Sequence, residues 1–182
     1  MKETLIVYGT RYGATTETCA VIQKILEKEY DQHVEIWNLE NWHACPDLND
    51  YDNVIIASGI EYGEWTKNAK KYLSADFGDK KIAIFISSAF AGDDEQHEFA
   101  YQKFLVDEIA KHPNLKPVAI AAFGGRIPKE ELPNFIKSPK NLLPAIVTEG
   151  MITRLHEYQY DNRNWDVIEK WAHEVGKLFS DD

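Results

Sequence analysis

The chain has 182 residues, 44% of them hydrophobic, enough apolar material to bury one continuous core without disulfide or metal staples. Its 30 acidic against 20 basic residues give a formal charge of −10, which opposes non-specific binding to nucleic acid or anionic lipid and favours basic partners. Two cysteines exclude a disulfide framework, no apolar run approaches the roughly 20 residues of a membrane span, and Met1-Lys2-Glu3 opens no signal-peptide layout, so a cytoplasmic protein is expected.

The first predicted strand, Thr4–Gly9, runs through Gly9-Thr10-Arg11-Tyr12-Gly13-Ala14-Thr15-Thr16 into a helix over Thr15–Lys28. Thr18, Val21, Ile22, Ile25 and Leu26 form one stripe of that helix, and Cys19 beside it reads as packing. A phosphate in the turn would meet backbone N–H groups, the hydroxyls of Thr10, Thr15 and Thr16, and the positive end of the helix dipole. The Gly-Lys-Ser/Thr ending of a Walker loop is missing, and so is the Gly-x-Gly-x-x-Gly dinucleotide fingerprint. A single monoester phosphate fits better than either. The alternative is that Thr15 or Thr16 merely caps the helix.

A second strand, His33–Leu39, precedes His43-Ala44-Cys45-Pro46-Asp47, whose single His and single Cys fall short of a metal site and read as a loop. The third strand, Asn53–Ser58, ends in Ser58-Gly59-Ile60-Glu61-Tyr62-Gly63-Glu64-Trp65. Its glycines allow a tight turn, while Ile60, Tyr62 and Trp65 either wall a flat ligand or pack as ordinary core. The fourth strand, Lys81–Ser88, is apolar at every position from Ile82 to Ile86, as expected of a strand covered on both faces. After it comes Ser87-Ser88-Ala89-Phe90-Ala91-Gly92-Asp93, suited to the opposite face of the same ligand.

A helix is predicted over Glu95–Lys111, with Asp93 or Asp94 as cap and Phe99, Phe104, Leu105 and Ile109 inward, and a fifth strand over Pro117–Phe123. From Gly124 to Asn162 there are four prolines and no clean period; short helices are expected at Lys129–Ile136 and Asn141–Thr148. Asn164 caps a last helix over Asn164–Phe179, with Val167, Ile168, Trp171, Val175 and Leu178 on its stripe. His97, His112 and His156 read as surface residues. Strands alternating with helices predict a parallel sheet covered on both sides, with ligands at the carboxyl ends of the strands. Gly-x-Ser-x-Gly is absent, which leaves a serine hydrolase without an anchor, and Gly9-Thr10-Arg11 lacks the acidic pair a receiver-like module needs.

The run from Leu5 to Thr15, Leu-Ile-Val-Tyr-Gly-Thr-Arg-Tyr-Gly-Ala-Thr, resembles the FMN-phosphate signature of flavodoxins, and Ile55–Gly63 resembles their next loop. Arg11 and the Ile-x-Tyr-Gly pattern at Ile60–Gly63 are similar to one branch, which contains the menaquinone-dependent protoporphyrinogen oxidases and uncharacterised flavodoxin-domain proteins. A weaker likeness reaches Gly124-Gly125-Arg126-Ile127-Pro128 and Trp165-Asp166, so the resemblance spans nearly the whole chain.

The resemblance implies a three-layer α/β/α flavodoxin-like fold with a five-stranded parallel sheet of order 2-1-3-4-5, one domain over residues 1–182 with a long excursion at about 124–162. It implies FMN as cofactor. Thr10, Arg11, Tyr12, Gly13, Ala14 and Thr15 would hold the phosphate, with Arg11 either paired to it or pointing into solvent. Ser58, Gly59, Ile60, Glu61 and Tyr62 would meet one side of the ring, and Ser87, Ser88, Ala89, Phe90, Ala91 and Gly92 the other. The implied function is electron transfer to a redox partner protein. The alternative is an FMN-dependent oxidoreductase acting on a quinone-like or tetrapyrrole-type small molecule, with Arg126 and the excursion as a substrate lip. In either case the flavin carries the redox chemistry and no side chain is required as acid, base or nucleophile. The sequence leaves the oligomeric state open.

Overall fold

The computed structural model describes residues 1–131, 149–157 and 159–181. In chain order the elements are β1 (Lys2–Gly9), α1 (Ala14–Glu29), β2 (Gln32–Asn38), β3 (Asn53–Glu61), β4 (Glu64–Trp65) and α2 (Lys67–Tyr72). They continue with β5 (Lys81–Ser87), α3 (97–109), β6 (Ala119–Phe123), α4 (Glu149–Glu157) and α5 (Trp165–Ser180). The parallel strands stand in the order β2-β1-β3-β5-β6, and β4 pairs antiparallel with the end of β3. Setting that two-residue strand aside, this is the expected 2-1-3-4-5 arrangement; counting it, the sheet has six strands and not five.

Strand alternation produces the layers, because successive side chains leave opposite faces of a sheet. Leu5 and Val7 join Val54, Ile56, Ile82, Ile84 and Ile86 in one core, closed by Ala69 and Tyr72 of α2 and by Ala100, Phe104 and Leu105 of α3. Ile6 and Tyr8 join Ile55, Ala57, Ala83 and Phe85 in the other, closed by Cys19, Ile22 and Leu26 of α1 and by Ile168, Trp171 and Val175 of α5. Each fully buried aliphatic side chain contributes about 1.5–3 kcal/mol. Phe85 and Phe123, tilted with ring centroids 5.3 Å apart, each meet Trp171 edge-to-face at 5.6 and 5.5 Å, which ties α5 to the sheet.

Several local expectations are corrected. Neither Thr15 nor Thr16 caps α1; the helix starts at Ala14, with Gly13 as N-cap in the left-handed region at φ 82° and no side-chain cap. Asn164 does cap α5, its Oδ1 accepting from Val167 N at 3.3 Å. Val167, on the predicted stripe, is 49% exposed because it lies in the first turn, and Phe179 and Ala172 take up core positions instead. Gln96, not Asp93 or Asp94, precedes α3, which is α-helical at His97–Ala100 and Asp107–Ile109 and π-helical at Tyr101–Val106. Trp65 Nε1 donates to the Phe104 carbonyl inside that widened turn at 2.6 Å. Of the two short helices expected in the excursion, the first shows a 3₁₀ turn at Lys129–Glu131, while its remainder and Asn141–Thr148 lie outside the described residues. Among the described residues no helix is long and apolar enough to cross a membrane.

Candidate functional site

The strand order reverses beside β1, so the loops leaving β1 and β3 diverge and open a cleft at the carboxyl edge of the sheet. The cleft is open to solvent, and the space in it that water could occupy is about 50 Å³. Thr10, Arg11, Tyr12, Ala14 and Thr15 line it from the first loop, Gly59, Ile60, Glu61, Tyr62 and Gly63 from the second, and Ser87, Ser88, Ala89 and Phe90 from the third. A fourth wall, Gly125, Arg126 and Ile127 after β6, was not among the predicted cofactor-binding residues. Its signal in the sequence was the Gly-Gly-Arg that follows the fifth strand.

Two buried hydroxyls on these walls lack hydrogen-bond partners among the described residues: Thr15 Oγ1, on a fully buried residue, and Ser87 Oγ, on a residue 4% exposed. Leaving a hydroxyl in that state costs about 1–3 kcal/mol, a cost that a polar group reaching it from a ligand would relieve. Thr10 turns inward differently, its Oγ1 accepting from Gly13 N at 3.1 Å, which shapes the loop. With Gly13 as N-cap and no side-chain cap, the N–H groups of the first turn of α1 have no intrahelical partner. Orphan donors, a positive dipole end and an orphan buried hydroxyl together suit a phosphate, and the Ser87 hydroxyl beside Phe90 suits a polar heteroaromatic edge.

Tyr62 (φ 51°) and Gly63 (φ 79°) form the two-residue turn between the paired Glu61 and Glu64, a hairpin of type I′. Holding a tyrosine there costs roughly 1 kcal/mol, and the turn sets its residue at the cleft mouth. Across the mouth, Arg11 Nη1 stands 2.7 Å from the Glu61 carboxylate and its guanidinium lies 5.6 Å from the Tyr12 ring centroid. The Arg11 side chain is thus half exposed and paired to a carboxylate of the next loop. Partial burial pushes the Tyr12 phenol above its ordinary range, with the Arg11 charge pulling the other way.

Four predicted site residues stand off the lining. Gly13 is the helix cap. Ser58 Oγ accepts from Thr66 N at 3.0 Å and donates to Gly59 O at 2.9 Å, anchoring the hairpin from below. Ala91 is buried in the core. Gly92 admits Asn162, since a Cβ there would lie 2.4 Å from Asn162 Oδ1. Trp65, expected as a possible wall, is buried with its indole turned to α3. Cys19 is fully buried, which pushes its thiol far above the ordinary range, and it packs as expected.

The chain beyond the excursion returns to brace these loops. Asn162 Nδ2 donates to Ala89 O at 2.8 Å while its Oδ1 accepts from Gly125 N at 3.0 Å, so one amide joins the third and fourth walls. Arg154 grips the buried Asp93 carboxylate through Nε at 2.6 Å and Nη2 at 3.0 Å. Arg163, 3% exposed, donates to Asp161 Oδ1 at 2.8 Å and to Ala14 O at 3.2 Å. Burial alone would raise the Asp161 carboxyl, but Arg163 overrides it and holds that group below the usual carboxylate range.

A doubly wound parallel sheet with an anion-ready helix start and a flat cleft at its switch point defines a mononucleotide-binding α/β protein. The sequence model of the flavodoxin domain matches residues 5–141, and the chain belongs to that family. It is an FMN-binding electron-transfer flavoprotein. Among solved structures, a short-chain flavodoxin associated with a PDU bacterial microcompartment superposes with TM-score 0.50 and 15% identity over 80% of this chain and 99% of its own. The apo form of an NADH:FMN oxidoreductase superposes with TM-score 0.50 and 12% identity over 96% of this chain and 90% of its own. At these identities the likeness is one of fold. No curated protein matches the sequence.

Proposed function

We propose that FMN lies in this cleft with its phosphate at the β1–α1 turn and its ring between the β3 and β5 loops, and that the chain works as an electron carrier. Thr10, Arg11, Tyr12, Ala14 and Thr15 surround the phosphate end; Gly59, Ile60, Glu61 and Tyr62 meet one side of the ring and Ser87, Ser88, Ala89 and Phe90 the other. Gly13, Ser58, Ala91 and Gly92 shape the loops that present them. The observation that carries this reading is the pair of buried hydroxyls, Thr15 Oγ1 and Ser87 Oγ, that line one cleft and have no partner among the described residues. Bound FMN supplies one- or two-electron chemistry, and the protein supplies placement, electrostatics and exclusion of water.

The acidic surface favours transient complexes with a basic redox partner in the cytoplasm, and residues 1–182 act as one flavodoxin-like unit. An absorption spectrum of the protein as purified, followed by identification of the released flavin, tests the cofactor assignment. A colourless protein that takes up no FMN on titration sinks it.

A second reading places the chain in the oxidase branch, acting on a quinone-like or tetrapyrrole-type molecule. In its favour, a neighbouring hollow shares Tyr62, Gly63 and Phe90 with the cleft and combines the aromatic walls Phe99 and Phe104 with charged residues of β4 and α3, a seat for a flat molecule with polar substituents. If quinone reoxidises the reduced holoprotein no faster than it reoxidises free reduced FMN, that reading fails and the carrier stands.

A further inference from the structure

The turn after β6 sends one guanidinium back across the sheet edge to the start of α1. Arg126 Nη2 donates to Tyr12 O at 2.8 Å, and Nη1 meets Glu17 Oε1 at 3.1 Å. A Cβ built on Gly13 would stand 3.6 Å from Nη2, so the group lies against the very loop where the phosphate is placed. Among the described residues these bonds use two of the five N–H donors a guanidinium carries, and Arg126 lines the cleft together with Thr10 and Thr15. Thr15 Oγ1, fully buried and without a partner among the described residues, is an independent observation that supports a ligand contact at this end of the cleft.

We propose that Arg126 reads the phosphate end of the cofactor and gives the protein its preference for FMN over riboflavin; the assignment rests on the cofactor placement above. The charge balance at the helix start supports it. Glu17 and Asp161 face Arg126 and Arg163 there, and the four formal charges cancel. A phosphate monoester adds about −1.5 to −2 at neutral pH. With Arg126 absent, it would enter a net negative site in a chain of charge −10. Arg126 is also free to serve a phosphate without stranding Glu17, because Arg163 Nη2 holds the other carboxylate oxygen at 2.7 Å. A planar guanidinium braced on a carbonyl is well placed to give a phosphate two parallel hydrogen bonds.

The test is titration of the flavin-free, full-length protein with FMN and with riboflavin, following flavin fluorescence, for wild type, Arg126→Gln and Arg126→Lys. Arg126→Gln is expected to weaken FMN roughly ten- to hundredfold and riboflavin by less than about twofold, the signature of one charge-assisted contact. Arg126→Lys should recover part of the FMN loss, since the charge stays and the fork is lost. If Arg126→Gln does not fold, a reduced ratio of FMN to riboflavin affinity in Arg126→Lys is the expected result and an unchanged ratio overturns the proposal. Equal losses for the two flavins in Arg126→Gln, or no loss, also overturn it, leaving Arg126 as a brace for the Tyr12 turn. A different failure is wild-type protein that binds both flavins equally well or neither, which removes the phosphate site itself.

Discussion

Thr15 shows how one residue trades stability for binding. Its hydroxyl is buried without a partner among the described residues, so a valine there keeps the shape and removes the desolvation cost. Thr15→Val is expected to raise the melting temperature of the flavin-free protein by roughly 2–4 °C while weakening FMN about tenfold. Thermal melts and a flavin titration read both effects, and an unchanged affinity shows that the hydroxyl faces no ligand. Arg11 poses an electrostatic question where the first two loops meet at the cleft mouth. On the proposed placement Glu61 stands beside the ring and opposes the negative charge the flavin gains on reduction, and Arg11, 2.7 Å from the Glu61 carboxylate, offsets it. The pair is partly exposed, so its effect on the flavin is about 1 kcal/mol or less, on the order of 40 mV for one electron. Arg11→Gln should therefore lower the midpoint potential, and a rise measured by potentiometry contradicts this placement of Glu61.

At the scale of elements, the informative feature is the arm formed by α4 and residues 159–163. Its Asn162 bonds reach two buried loop groups at once, and replacing the side chain strands both. Asn162→Ala is expected to cost about 2–4 kcal/mol in denaturant unfolding. Gly124→Ala should be comparably damaging at roughly 1–3 kcal/mol, because a Cβ there would stand 2.2 Å from the Asn162 carbonyl oxygen. Wild-type-like midpoints in both would show that the arm is not closed on the cleft in solution. The arm also carries a pH signature. Asp161 has a folded value held below its ordinary 3.8, so its stabilising contribution is fully present above that value and is lost as pH falls through the lowered one. In Asp161→Asn the acid limb of stability below about pH 4 should flatten.

Over the whole molecule, a charge of −10 governs encounter more than fold. Electron transfer to a basic partner should slow steeply as salt rises past about 0.1 M, where the screening length falls to about 10 Å. Stopped-flow rates that stay flat with ionic strength would remove the charge-guided partner from the account.

Periodicity in the sequence determined the five parallel strands and the two-sided core, because Leu5-Ile6-Val7 and Ile82–Ile86 have no stable exposure except between helical layers, while the strand order came only through the resemblance to flavodoxins. The loops of the cleft were legible for the same reason, since they follow directly from strand ends. What only the tertiary structure decided involves partners distant in sequence: Arg11 on Glu61, Trp65 on the π turn of α3, Asn162 on Ala89 and Gly125, and Arg126 on Tyr12 and Glu17. Local patterns report which face of an element is apolar. They carry no information about which polar group will stand 3 Å away once segments more than a hundred residues apart, such as Tyr12 and Arg126, are brought to one edge of the sheet.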